Sequence, residues 1–97
     1  MSASSETPVG TAGEIVEIPV VLPAHLHARP AGRIAQAAAR FDSTLLLQYG
    51  ERSANPRGVL AVMALGATAG RTVTVRAQGP DATEAAAALA EILATAE

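Results

Sequence analysis

Residues 16–38 read VEIPVVLPAHLHARPAGRIAQAA, and the period of the apolar positions changes within them. Val16, Ile18, Val20 and Leu22 alternate, which is the repeat of a half-buried strand. From Ala28 the spacing becomes helical. Ala31, Ile34, Ala35 and Ala38 share one face, while Arg29, Arg33, Gln36 and Arg40 keep mostly to the other. The stretch therefore predicts a strand, a short loop and a helix over 28–40. Pro19 has no N–H to give a ladder, so the strand is expected at a sheet edge or with a locally unpaired position.

The same reading extends to the C-terminus. Residues 43–49 (STLLLQY) form a buried strand, Gly50-Glu51 a turn, and Arg52-Ser53-Ala54 a short partner strand. Pro56 opens a brief helix, about 58–65, which Gly66 ends. Thr72 to Gln78 alternates cleanly as the last strand. Asp81-Ala-Thr-Glu84 has the spacing of a capping box ahead of a helix over 82–95, with Leu89, Ile92 and Leu93 on its apolar face. The order β-α-β-β-α-β-α describes an α+β open sandwich, helices on one face of an antiparallel sheet.

Residues 1–13 (MSASSETPVGTAG) are rich in Ser, Thr, Gly and Pro and are expected to be a disordered tail. The folded domain is expected to run from Glu14 to Glu97. A chain of 97 residues has room for one core. Apolar residues make up 49% of it, but Phe41 and Tyr49 are the two aromatics, so alanine must close-pack the interior. There are no cysteines, which excludes disulfides, thiol catalysis and cysteine-ligated zinc. The first dozen residues lack the basic and apolar blocks of a secretory signal, and no apolar run approaches the ~20 residues that span a bilayer. A cytoplasmic protein without membrane insertion is expected. All seven basic residues are arginine, against nine carboxylates, for a net charge of −2. That balance argues against a nucleic-acid partner.

The chemistry concentrates in Pro23-Ala-His25-Leu-His27-Ala-Arg29-Pro30. His27 falls where the helix N-cap belongs. Pro30 is tolerated in the first turn, where its missing N–H would be unbonded anyway. The first amides of a helix lack internal partners and carry a partial positive charge. Histidine caps them poorly compared with Asp or Ser. Its ring can instead carry a phosphoryl group over the helix start, with the N–H groups of Ala28 and Arg29 donating to phosphate oxygens. Arg29 adds a planar, permanent charge suited to phosphate. Taken singly, a histidine in such a place is ordinarily a solvated loop residue and an arginine a solvated charge. His25 and His27 as a metal pair would lack the carboxylate or thiolate needed to complete a site.

Leu26-His27-Ala28-Arg29-Pro30-Ala31 resembles the active-site motif of HPr, the phosphocarrier of the bacterial sugar phosphotransferase system. The resemblance extends from about Val16 to Glu97 in element order and loop lengths. It implies strand order 1-4-2-3 with three helices on one side, phosphorylation of His27 on Nδ1 assisted by Arg29, and a phosphate site made with Ala28, Arg29 and Pro30. It further implies enzyme I, charged from phosphoenolpyruvate, as donor, and enzyme IIA domains of sugar transporters as acceptors. Such a protein is a covalent intermediate and not a turnover enzyme, needs no cofactor or metal, and acts as a monomer. Alternatives within the fold are a carrier of a nitrogen-type or dihydroxyacetone-type relay, or a non-phosphorylated regulatory module. The last should lack a competent histidine.

Val59, Leu60 and Met63 lie at i, i+1 and i+4 of the second helix. They are ordinary core by pattern, but the resemblance implies a docking patch for enzyme I and enzyme IIA there, rimmed by arginines including Arg57. Two positions depart from the family pattern. Gly58 stands where many members have a regulatory serine, and His25 replaces a small residue, commonly glycine.

Overall fold

A computed structural model describes residues 15–97; the expected tail and Glu14 lie outside the described residues. The elements are β1 (Ile15–Val21), α1 (Ala28–Ala38), β2 (Thr44–Tyr49), β3 (Arg52–Ala54), α2 (Val59–Ala64), β4 (Thr72–Gln78) and α3 (Ala82–Ala94). The alternation read from 72–78 places β4 where it is found, and that read from 16–22 places β1 one residue late. The expected α1 is two residues longer than the observed one, because Ala39 and Arg40 turn away toward β2.

The four strands form one antiparallel sheet in the order β1-β4-β2-β3. Pro19 therefore lies on an edge strand, opposite Thr74, as its missing donor requires. The register sorts the faces. Val16 opposes Ala77, Val20 opposes Val73, Leu45 opposes Ala77 and Leu47 opposes Val75, and these line the covered side. On the other face Glu17 opposes Arg76 and the two make an ion pair at 3.6 Å. Both partners are about half exposed, so the pair adds little stability.

Helices α1 and α3 pack together over the covered face, and α2 packs against α1. Ala31, Ala38, Ala77, Ala85 and Ala86 are fully buried beside Ile34, Leu47, Leu89 and Leu93. Alanine on facing elements lets the backbones approach closely, which compensates for the small area each methyl buries.

The expected capping box at α3 does not form. Asp81 occupies the cap position but bonds no amide of its own helix. Its carboxylate instead accepts the N–H groups of Asp42 and Ser43, both at 2.9 Å, and the Ser43 hydroxyl. The Asp81 amide in turn donates to Ser43 Oγ at 3.1 Å. Donors brought by the loop ahead of β2 outcompete the local ones, so α3 is tethered to that loop at its first turn. These bonds hold the Asp81 carboxyl below the usual carboxylate range, the Ser43 hydroxyl being the largest cause.

Candidate functional site

The loop between β1 and α1 is fastened from both ends. Leu22 donates to the Arg71 carbonyl at 2.9 Å and accepts from the Gly70 amide at 2.8 Å. The Leu26 amide reaches the Ala67 carbonyl at 3.4 Å, and its side chain is 5% exposed. That burial contributes about 2 kcal/mol toward holding the loop in one course. Residues 66–71, which make these contacts, turn on Gly66 (φ +71°) and Gly70 (φ +86°), left-handed conformations that suit glycine.

With Leu26 turned inward, His25 and His27 fall on the opposite, exposed side. The His27 amide donates to the His25 carbonyl at 3.0 Å, doubling the chain back on itself. The two imidazoles lie parallel, 3° between planes and 5.3 Å between centroids. This separation is in the range of offset stacking.

His27 is the N-cap residue of α1, in extended conformation at φ −75° and ψ −176°. Its carbonyl accepts the Ala31 amide at 3.0 Å, starting the helix. Its side chain makes no capping bond, so the ring is exposed and uncommitted. Among the described residues the N–H groups of Ala28 and Arg29 have no protein acceptor. Pro30, the third residue of α1, is buried and has no N–H. Arg29 is exposed, without a hydrogen-bond or ion-pair partner among the described residues. An exposed nucleophilic ring, two free amides and an unpaired guanidinium thus share one helix end. Together they can accept a tetrahedral anion on the ring and hold its oxygens.

The second helix divides as its pattern allowed. Val62 is fully buried and Val59 half-buried, whereas Leu60 is 80% and Met63 40% exposed. An outward apolar spot on a helix packed against α1 lies outside the core reading of those residues. Arg57, expected on the rim, is exposed but already committed. Its Nη2 donates to the carbonyls of Phe41 at 2.8 Å and Ser43 at 3.1 Å, fastening the same loop that Asp81 grips. Arg52 reaches the Leu65 carbonyl at 3.2 Å. Gly58 is the N-cap of α2 with an ordinary φ of −103°.

The pairing of His25 with His27 and the Asp81–Ser43 link were absent from the sequence reading. The first had a signal: two histidines flanking one apolar residue must share a side when that residue is buried. The second had none, since its partners are 38 positions apart.

Comparison with known proteins agrees with this geometry. The family model described as the PTS HPr component phosphorylation site matches residues 16–95. A phosphocarrier protein HPr from Bacillus anthracis shares 31% identity, with 81% of this chain and 96% of that one covered, at a TM-score of 0.74. Crh, the catabolite repression HPr of Bacillus subtilis, shares 32% identity over 87% of this chain and 100% of that one, at a TM-score of 0.71. An HPr solved as a dimer, from Thermoanaerobacter tengcongensis, shares 34% identity over 69% and 77%, at a TM-score of 0.64. The strand order 1-4-2-3 and the helical layer are those the motif implied. With 80 consecutive residues matching the family model, the chain belongs to the HPr family of phosphotransferase-system phosphocarriers.

Proposed function

We propose that this chain accepts a phosphoryl group on Nδ1 of His27 from enzyme I, itself charged by phosphoenolpyruvate, and passes it to enzyme IIA domains of sugar transporters. The observation that carries this reading is the exposed, uncapped ring of His27 over the unpaired amides of Ala28 and Arg29. The neutral ring nitrogen contributes its lone pair to a new N–P bond. The donor's bond to phosphorus breaks, and its electron pair leaves with the donor. Arg29 and the two amides balance the phosphoryl charge in the meantime. The reverse sequence delivers the group to the acceptor. His27 is regenerated, so the protein is consumed and renewed as a covalent intermediate.

Leu60 and Met63 supply the apolar contact with both partners, and Val59 backs them from its half-buried position. Methionine conforms to more than one surface, which suits a protein that meets a donor and several acceptors in turn. Each exchange pairs one copy of the chain with one partner, so the working form is a monomer. It works in the cytoplasm; no helix among the described residues is long and apolar enough to cross a membrane.

The likeness to Crh favours a second reading, a regulatory binding module. Incubation with enzyme I and phosphoenolpyruvate, followed by intact mass, separates the two. Addition of one phosphoryl group, lost in acid and retained in alkali, supports the carrier. An unmodified mass supports the regulatory module.

A further inference from the structure

A phosphoryl group on His27 presents three acceptor oxygens. The start of α1 offers amides at Ala28 and Arg29, but Pro30 withholds the next one. The Arg29 side chain is the remaining donor that α1 supplies beside the ring. Any donor beyond these must come from outside the helix, and His25 stands beside the ring. Its ring lies parallel to that of His27, 5.3 Å away. A phosphoryl group bonded in the plane of the His27 ring projects oxygens to either side of that plane, and one of those sides is occupied by His25. Imidazole carries at least one N–H in either protonation state, so it offers a donor throughout the neutral range.

Other readings of the pair are weaker. Ring nitrogens of parallel imidazoles direct their lone pairs in parallel planes, which do not converge on one metal ion. Core packing is excluded by the exposure of both rings. The loop does not require a large side chain at 25, because Leu26 and the Leu22 bonds hold it in place.

We infer that His25 is a second phosphoryl-contacting residue, donating a ring N–H to the phosphoryl group carried by His27 and so favouring the phosphorylated protein. The inference rests on the proposed phosphorylation of His27 and adds to it a residue outside the family motif. No bond forms or breaks at His25; it contributes a hydrogen bond to the charged product that the free protein does not make.

The test measures the phosphorylated fraction at equilibrium with enzyme I at a fixed ratio of phosphoenolpyruvate to pyruvate. It compares the natural protein with His25→Ala and His25→Gln. The alanine variant should lower the ratio of phosphorylated to free protein about threefold to tenfold, the worth of one such hydrogen bond. The glutamine variant, whose amide also presents an N–H, should recover most of the loss. In the natural protein the His25 ring nitrogens should shift in 15N NMR when His27 is phosphorylated. Thermal midpoints should match across the three proteins, since residue 25 is exposed. An unchanged ratio in His25→Ala, equal losses in both variants, or a His25 signal indifferent to phosphorylation would each overturn the role of His25 alone. Failure of the natural protein to gain phosphoryl mass would overturn the reading of His27 and this inference with it.

Discussion

Asp81 and Ser43 are joined by three hydrogen bonds: the Asp81 carboxylate takes both the amide and the hydroxyl of Ser43, and Ser43 Oγ takes the Asp81 amide. This link ties the first turn of α3 to the loop entering β2. Its strength depends on Asp81 being ionised. The folded carboxyl titrates below the ordinary value, chiefly through the Ser43 hydroxyl. Its contribution is therefore present above the unfolded carboxyl's titration and is lost as pH falls through the lower, folded one. Asp81→Asn should lower the thermal midpoint at neutral pH, and the gap to the natural protein should close in acid. Midpoints measured from about pH 7 down to about pH 2 check this, the unfolded reference lying near ~3.9. A gap that stays constant would refute it.

Gly79 sits against the same link. Its φ is +144°, and a Cβ there would stand 2.8 Å from Ser43 Oγ and 2.9 Å from Ser43 Cα. Backbone cannot yield as a flexible side-chain tip would. Gly79→Ala should cost roughly 2–3 kcal/mol, from strained backbone and a displaced Ser43 together. Gly32→Ala, with nothing within 4 Å of the new methyl and a helical position, should instead be stabilising by about 0.5–1 kcal/mol. Urea denaturation of the two variants should give shifts of opposite sign.

His27→Ala should abolish phosphoryl acceptance from enzyme I while moving stability by less than about 0.5 kcal/mol, because the ring is exposed and makes no capping bond. Intact mass and thermal unfolding of the same sample check both halves. A phosphoryl gain in the variant would transfer the role to another residue.

Leu60→Glu should leave the fold unchanged, since Leu60 is 80% exposed. It should slow phosphoryl transfer from enzyme I roughly tenfold by replacing an apolar contact with a charge that docking must strip of water. Val62→Glu, at a fully buried position on the opposite face of the helix, should unfold the protein. Transfer kinetics for the first and circular dichroism for the second distinguish the two sides of α2.

An HPr-type serine kinase with ATP should not modify the protein at position 58, because Gly58 has no hydroxyl. Gly58→Ser fits the backbone as it stands. The φ is −103°, and the new Cβ meets Ala61 Cβ at 3.5 Å and the Asn55 carbonyl at 3.7 Å, both ordinary contacts. Serine at this cap should raise stability by about a few tenths of a kcal/mol and create a phosphate acceptor beside Val59, Leu60 and Met63. Phosphorylation there should weaken docking on enzyme I by setting a strongly hydrated charge beside the apolar contact. Mass spectrometry after kinase treatment of both proteins checks this; modification of Ser53 in the natural one would show that the acceptor has moved.

Much of the fold was legible because its signals are local. The alternation of Val16, Ile18, Val20 and Leu22, the helical spacing of Ala31, Ile34 and Ala38, and the glycine after Leu65 each report a neighbourhood of a few residues. Strand order is different. Periodicity says that β1 and β4 are strands, not that they are neighbours, and the order was an implication of the motif's resemblance alone. The capping box failed for the same physical reason: Asp81 has the right spacing to Glu84, but Ser43 arrives through tertiary structure and binds it better. At the site, His27, Ala28, Arg29 and Pro30 were readable because a helix start sets their geometry. The spacing of His25 and His27 about Leu26 puts them on one side, but the parallel setting of their rings depends on how the loop bends, which spacing does not encode.

Pro19 has a consequence outside the β1–β4 ladder, whose register runs unbroken across it. β1 is one margin of the sheet, and a free margin invites a strand from another molecule. Proline leaves that margin one donor short, and the opposite margin, β3, is three residues long. Neither side offers a full row of partners for end-to-end growth. The chain can thus expose Leu60 and Met63 on α2 without its sheet edges also offering a template for filaments.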